Sequence, residues 1–261
     1  VAAALVKGVN AAGGTWSEAD LARYRAPERR PIVSYFRAWR LVLAPPPSAS
    51  GVEVTEILQQ LEARGWQPRR MAADDAMILE AMRRADRDRD AFLGDPDFVD
   101  VPLHLLRSMT YADWLARTTD PAHATPAAAL PAPADIAPRP SDCPAPPAAC
   151  GSRVRHAGNE GRGAALFTVI DSEGNRVAGT MTLGSRFGSG DMPPHSGVLL
   201  NDRLRAFTAL QGASDPRIDG QRGNRPAARK RPLSSLGPAF VEGRAACWCW
   251  PPAAGATPSP P

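Results

Sequence analysis

The sequence predicts a chain of mixed α+β class, and three observations carry that prediction. Helical periodicity runs through much of residues 1–120, a β-branched and aromatic run occupies Val33–Leu43, and two strand-like runs flank a glycine turn between Ala165 and Leu183. At 261 residues, 43% hydrophobic and 22% charged, the chain can bury the core of one large domain or two small ones.

Taken in order, Ser17-Glu18-Ala19-Asp20 ahead of Leu21 reads as a helix start, with Ser17 as cap and Asp20 placing an acid in the first turn. Val33–Leu43 supplies one or two strands. The prolines of Ala44–Gly51 bar regular pairing and make that stretch a loop. Val52, Ile57, Leu58 and Leu61 recur at helical spacing up to Arg64. A second helix is predicted over Asp75–Arg87, with Ala76, Leu79, Met82 and Arg83 along one side, and a short one over Leu103–Met109. Between 121 and 150, twenty of thirty residues are Pro or Ala, too poor in large apolar groups to offset chain entropy, which predicts a disordered or extended linker. Ala165–Ile170 reads as a strand, Asp171–Asn175 as a hairpin turn, Arg176–Leu183 as the returning strand and Val198–Leu200 as a further short one. Residues 212–230 read as loop, and Arg244–Pro261 shows no usable period.

Charge and cysteine usage exclude several classes of function. Of the 31 basic residues only Lys7 and Lys230 are lysines, and a preference for arginine with abundant Ala, Pro and Gly points to GC-rich codons. Arg83, Arg84, Arg87 and Arg89 interleave with Asp86, Asp88 and Asp90, and net +4 over this length is a weak field, so no nucleic-acid partner is expected. Cys143, Cys150, Cys247 and Cys249 lie in Pro/Ala-rich stretches outside any patterned helix or strand. The histidines are scattered, so neither a metal site nor a disulfide framework is legible. No run of eighteen apolar residues is present, and no membrane span is expected. The opening from Val1 lacks the layout of a signal peptide and reads as the interior of a longer chain.

A series of segments then falls into one order: Gly13-Gly14-Thr15 with Asp20–Tyr24, Pro45-Pro46-Pro47-Ser48, and Asp88-Arg89 leading into Leu93-Gly94-Asp95-Pro96-Asp97-Phe98. They continue with Phe167-Thr168-Val169-Ile170-Asp171 and Gly174-Asn175, Phe187-Gly188-Ser189, Gly197–Asn201, and Arg231-Pro232-Leu233-Ser234-Ser235. In order and spacing these resemble the gamma-glutamyltranspeptidases (gamma-glutamyltransferase, glutathione hydrolase), over residues 1 to about 243. The resemblance implies an αββα sandwich of the N-terminal nucleophile hydrolase class, here incomplete at both ends. It also implies a precursor that cuts itself before a threonine into two subunits that stay associated. The implied organisation is 1–120 for the rear of the large-subunit region and 121–163 for the linker to the processing site. The front of the small-subunit region is then 164–243, and 244–261 an aberrant tail. The implied reaction moves the γ-glutamyl group of glutathione or related compounds to water, an amino acid or a peptide. No cofactor is implied, and the implied compartment is the periplasm or the exterior.

Against that pattern several positions depart. Aligning on Phe167–Asp171 places Ala164 at the nucleophilic threonine, Ala165 at the second threonine and Leu166 at the histidine. The family's threonine attacks the γ-glutamyl carbonyl with its own α-amine as base, and a methyl group has no lone pair for either self-cleavage or acyl transfer. Thr168, four residues into the strand, would carry no free amine, and a β-branched strand residue accounts for it. In the resemblance Gly184 replaces an expected asparagine, Arg203 stands where a polar residue is typical, and Ala206 replaces the aspartate that would pair with the substrate amino group. Thr182 matches the residue that supports the nucleophile. Ser234 and Ser235 match the pair that reaches the glutamyl carboxylate, although Ser-Ser after Pro-Leu is also what an ordinary turn carries. The arginine that grips that carboxylate falls upstream of Val1 in the resemblance.

After Pro238–Glu242 the family continues with a Val-Leu-Val-Leu-Gly strand and an oxyanion glycine pair. Read one base out of frame, GC-rich codons for that strand give Cys-Trp-Cys-Trp, the residues at 247–250, so a frameshift near Arg244 is expected. The expectation overall is a chain of this family, catalytically dead, with a non-catalytic binding protein or the unfolded product of a decayed gene as the alternative.

Overall fold

The computed structural model describes residues 1–68, 72–120, 122–126, 129–131, 164–208 and 222–243, together with the backbone of 247–250. The Pro/Ala-rich stretch expected to be a linker lies almost wholly outside the described residues, as does most of the loop read over 212–230. Compactness divides the chain into two units: Val1–Arg30 with Ala157–Leu204, and Pro31–His156 with Arg205–Pro252.

In the first unit, α1 (Ala2–Ala11) is followed by α2 (Glu18–Arg23). The start of α2 is the cap the sequence predicts, and it is reciprocal. Ser17 Oγ accepts from the Asp20 N–H at 3.2 Å, and Asp20 Oδ2 accepts from the Ser17 N–H at 3.0 Å. Each side chain thus satisfies a backbone donor that the helix leaves unpaired. Strands β3 (Ala164–Ile170) and β4 (Arg176–Thr182) form an antiparallel hairpin with Ala164 opposite Thr182 and Ile170 opposite Arg176. Asp171 closes the turn by accepting from the Glu173 and Asn175 N–H groups at 3.0 and 2.8 Å. One face of this hairpin is wholly apolar (Ala165, Phe167 and Val169 against Val177, Gly179 and Met181), and its large side chains are exposed. The strand expected at Val198–Leu200 is not formed. Leu200 exchanges backbone hydrogen bonds with Ser189 and Asp191, and Gly188, Gly190 and Gly197 at positive φ keep the flanking chain from extending into a ladder.

The second unit is built on a four-stranded antiparallel sheet in the order β1-β2-β5-β6. Its strands are β1 (Ile32–Phe36), β2 (Trp39–Leu43), β5 (Ala239–Glu242) and β6 (Cys247–Trp250). Ile32, Leu41 and Leu43 point to one face by the two-residue period of strands and share one core cluster with Val52, Leu106, Tyr111 and Leu115 of the helices and Leu93 just after α4. Cys247–Trp250 corrects two expectations at once. The segment is a strand, paired in register with β5 from Ala239 opposite Trp250 to Glu242 opposite Cys247, so two of the cysteines do lie in a strand. Backbone pairing needs no particular side-chain period, which is why the sequence pattern hides it.

Helix α3 spans Ser50–Ala63 and α4 spans Ala72–Phe92, both longer than predicted. The single short helix expected at Leu103–Met109 is two, α5 (Leu103–Leu106) and α6 (Met109–Arg117). Ser108 divides them: its backbone is extended and its Oγ accepts from the Tyr111 N–H at 3.1 Å, capping a new helix. On α4 the buried side is not the one the apolar residues mark. Leu79 and Met82 are exposed, while Ala81, Arg84, Ala85 and Asp88 are buried. Arg84 is fully enclosed because every guanidinium N–H has an acceptor: Nε donates to Thr118 Oγ1, Nη1 to the Glu80 carbonyl and carboxylate, and Nη2 to the Thr118 carbonyl and Thr125 Oγ1.

The same helix brings Asp88 against Glu56 of α3. Asp88 accepts from the Tyr111 hydroxyl at 2.7 Å and from Arg87 at 2.6 Å. Both Glu56 oxygens are buried without a hydrogen-bond partner among the described residues, a placement that disfavours the charged carboxylate. Burial first, and the Asp88 charge second, push the Glu56 carboxyl well above the usual carboxylate range. The folded state therefore holds this proton more tightly than the unfolded chain, and stability falls as pH rises from the ordinary carboxylate range to the native pKa. Glu56→Gln is neutral at every pH. Urea melts are expected to show it more stable than the parent at pH 8 by about 1–3 kcal/mol, with the difference shrinking towards pH 4. A variant less stable at pH 8 would contradict the raised Glu56 carboxyl.

Candidate functional site

In the first unit, the hairpin brings together two of the predicted positions. Ala164 opens β3 directly opposite Thr182 at the end of β4. Thr182 Oγ1 accepts from the Gly184 N–H at 2.9 Å, a local bond that fixes the hydroxyl and the turn after the strand. Ala165 and Leu166 follow, opposite Met181 and Thr180. At the position opposite Thr182 there is a methyl group and no nucleophile.

Gly184 has φ +90, and a Cβ built on it would lie 1.9 Å from Asp202 Oδ1. That carboxylate is anchored by Ser185, whose N–H donates to Oδ1 at 2.9 Å and whose hydroxyl donates to Oδ2 at 2.6 Å. The space next to residue 184 is thus filled from the other side of the loop by Asp202, which sequence reasoning passed over. Arg203 opens a short 3-10 turn over Arg203–Ala206, its N–H bonded to Asn201 Oδ1 at 2.9 Å.

In the second unit, Ser234 and Ser235 sit on a frame made by four other segments. Ser234 forms a parallel bridge with Ser48, where the Ser234 N–H donates to the Pro47 carbonyl at 2.9 Å and the Ala49 N–H to the Ser234 carbonyl at 2.7 Å. The Pro46–Pro47 bond in this loop is cis. Ser48 Oγ donates to the Leu236 carbonyl at 2.9 Å. Gly237 passes so close that a Cβ there would lie 1.9 Å from Ser50 Oγ, so a larger residue would displace the serine hydroxyls. The loop after α4 anchors the approach to the serines. Asp95, fully buried, accepts from the Arg231 N–H at 2.8 Å, and Asp97 pairs with the Arg231 guanidinium at 3.0 Å. Asn224 joins a third segment, its Oδ1 accepting from the Leu233 N–H at 2.9 Å and its Nδ2 donating to the Ala206 carbonyl at 2.7 Å. Ala206 is thereby tied to the serine segment through its backbone, while its side chain offers no charge.

The hydroxyls themselves have a defined polarity. Ser234 Oγ accepts from the Leu236 N–H at 3.2 Å, and Ser235 Oγ accepts from Arg89 Nη2 at 3.2 Å. Among the described residues neither hydroxyl donates, so each keeps its hydrogen for an acceptor from outside, which suits a carboxylate. Arg89, Asp95 and Asp97 belong to segments already singled out in the sequence, but nothing there linked them to the serines. Asn224 carried no signal at all, sitting in a polar, Gly/Pro-interrupted stretch. Among the described residues no group of three metal-ligating side chains occurs, and no helix is long and apolar enough to cross a membrane.

Comparison with known proteins identifies the family of the chain. The family model for Gamma-glutamyltranspeptidase matches residues 1–257. The glutathione hydrolase proenzyme of Escherichia coli is 34% identical over 234 residues, 88% of this chain and 36% of that protein. The glutathione hydrolase proenzyme of a Pseudomonas species is 34% identical over 247 residues, 92% of this chain and 39% of that protein. The chain thus spans between a third and two-fifths of the length of these relatives. Among solved structures, the cephalosporin acylase from Bacillus halodurans superposes with a TM-score of 0.67 at 20% identity, covering 93% of this chain and 38% of that one, a likeness of fold. The expected α+β class and the expected family both hold.

Because Asp202 fills the space beside Gly184, restoring the asparagine of the family pattern carries a cost here. Gly184→Asn is expected to lower stability by about 1–3 kcal/mol, from the positive φ and the displaced carboxylate. Thermal melts would check this, and pairing the change with Asp202→Ala should recover part of the loss.

Proposed function

The chain belongs to the gamma-glutamyltranspeptidase family, and from that premise we propose that it keeps a seat for the carboxylate of a γ-glutamyl compound such as glutathione but performs no acyl transfer and no self-cleavage. The observation that carries this reading is the hairpin register, with Ala164 opposite Thr182 at the position that the family pattern gives to the nucleophile. Acyl transfer of this kind needs an oxygen that can attack a carbonyl and a free amine to activate it. An internal alanine supplies neither. Thr168 does not substitute, since it lies inside β3 with both neighbours in peptide linkage. Self-cleavage needs the same oxygen, so the two activities are lost together.

What supports retained binding is the serine pair, each hydroxyl accepting one bond from a protein donor and, among the described residues, donating none. The amino end of the ligand is served less well, because Ala206 has no carboxylate to pair with an ammonium group. Binding is therefore weak and led by the carboxylate. The reading extends to an association of the two subunit regions without a cut between them, and to a periplasmic or secreted setting. Both follow the family pattern.

A denaturing gel of the purified chain is expected to show one uncut band, and a γ-glutamyl anilide to release no amine. Ala164→Thr alone is expected to leave both results unchanged, because Gly184 and Ala206 remain. Self-cleavage or turnover in the parent chain would overturn the proposal. Turnover in the single variant would show that the other losses matter little. Resequencing the gene across codons 120–261 provides an independent check, since a threonine codon at 164 would remove the premise altogether.

A further inference from the structure

The two serines are held differently. Ser234 receives its bond from a neutral backbone N–H, whereas Ser235 receives its bond from a guanidinium. That guanidinium is also shared with carboxylates: Arg89 Nε lies 3.8 Å from Glu53 Oε1, and Nη1 lies 3.6 Å from Asp86 Oδ1. Arg89 and Glu53 are only 21% and 20% exposed, so their charges act with less screening than at an open surface. The Arg89 Nε hydrogen is buried and meets no acceptor within hydrogen-bond reach among the described residues. The residue is not saturated by its partners, and its field extends to Ser235.

We propose that Arg89 is a positioning residue for ligand binding, which occupies the Ser235 lone pair, turns the hydroxyl hydrogen towards the carboxylate of a γ-glutamyl ligand and lends it positive charge, with Glu53 governing how much of that charge is felt. The proposal rests on the carboxylate-binding reading given above and adds the device that sets its strength.

Glu53 can play that part because its ionisation falls within an accessible range. Burial raises its carboxyl to about 7, Arg89 draws it down, and Asp86 and Asp90 of α4 push it up. Glu56, on the same helix, belongs to the same group of acids. Below pH 7 Glu53 is neutral and Arg89 is opposed by one carboxylate fewer. Above it, the ionised Glu53 competes with the ligand for the guanidinium. Ligand affinity is therefore expected to fall as pH rises through 7.

The test is calorimetric titration of the full chain with glutathione at pH 6 and pH 8, in the parent and in Arg89→Ala, Arg89→Lys, Ser235→Ala and Glu53→Gln. Arg89→Ala is expected to weaken binding about tenfold, the scale of one charge-assisted hydrogen bond, and Arg89→Lys to recover part of it. The parent is expected to bind severalfold more weakly at pH 8 than at pH 6, and Glu53→Gln to abolish that difference. If Arg89→Ala fails to fold by circular dichroism, Arg89→Lys and Glu53→Gln carry the comparison. A parent that binds glutathione, with variants that keep its affinity and pH profile, would overturn the positioning role and leave the ligand reading intact. Variants that shift only the melting temperature would do the same. A parent that binds no glutathione at either pH would overturn the ligand reading and this proposal with it.

Discussion

Two backbone hydrogen bonds, Ser234 N–H to Pro47 and Ala49 N–H to Ser234, hold the loop between β2 and α3 against the segment that leads into β5. The separation in sequence is close to 190 residues, so this contact carries a large loop-closure cost and needs reinforcement from both sides. The reinforcement is visible. Asp95 and Asp97 fix Arg231, Asn224 fixes Leu233, and Leu233 is itself buried in the core with Val52 and Leu93. Pairing of β2 with β5 follows immediately beyond the bridge. A site whose serines sit on such a frame is as rigid as the core beneath it, which is what precise placement of two hydroxyl donors requires.

How much of this was legible in the sequence depended on whether a residue acts locally. The Ser17–Asp20 cap and the Asp171–Asn175 hairpin turn were readable because each is settled by residues within a few positions of one another. The register of the hairpin, which sets Ala164 opposite Thr182, comes from the structure. The buried face of α4 was not readable. Its line of Arg84, Ala85 and Asp88 looks like a solvated, self-cancelling charge run until Thr118, Thr125 and Tyr111 arrive from more than twenty residues away to satisfy it. Periodicity of apolar residues marked Leu79 and Met82 instead, and both are exposed. β6 was hidden for a related reason: strand pairing is a property of the backbone and its partner, while Cys-Trp-Cys-Trp has no pattern of its own.

The serine frame was half legible. Motifs around Asp88-Arg89, Leu93–Phe98 and Arg231–Ser235 stood out individually. That they form one bonded set is a fact of tertiary structure, and Asn224 enters it without any sequence signature. In Gly184 and Asp202 the two levels meet. A missing side chain reads as a simple loss in the sequence, whereas in the fold its space is taken by a carboxylate with its own hydrogen bonds to Ser185. A loop arranged in this way resists simple reversion, because the replaced group and its replacement exclude each other.

Nucleophilic attack on a carbonyl and the pairing of this hairpin depend on different atoms. The hairpin between β3 and β4 is held by backbone bonds that alanine and threonine make equally well, with only a modest preference for the β-branched residue. The serine frame draws on Pro47, Ala49, Asp95, Arg89 and Asn224, none of which is a nucleophile. The side chain at position 164 is therefore of little account to the pairing of this hairpin. The frame is less tolerant: severing Asp95 from the Arg231 backbone would cost a buried carboxylate one of its donors and loosen the segment that leads to the serines. The frame around the serines is thus tied to the stability of the fold, whereas the side chain at position 164 is not.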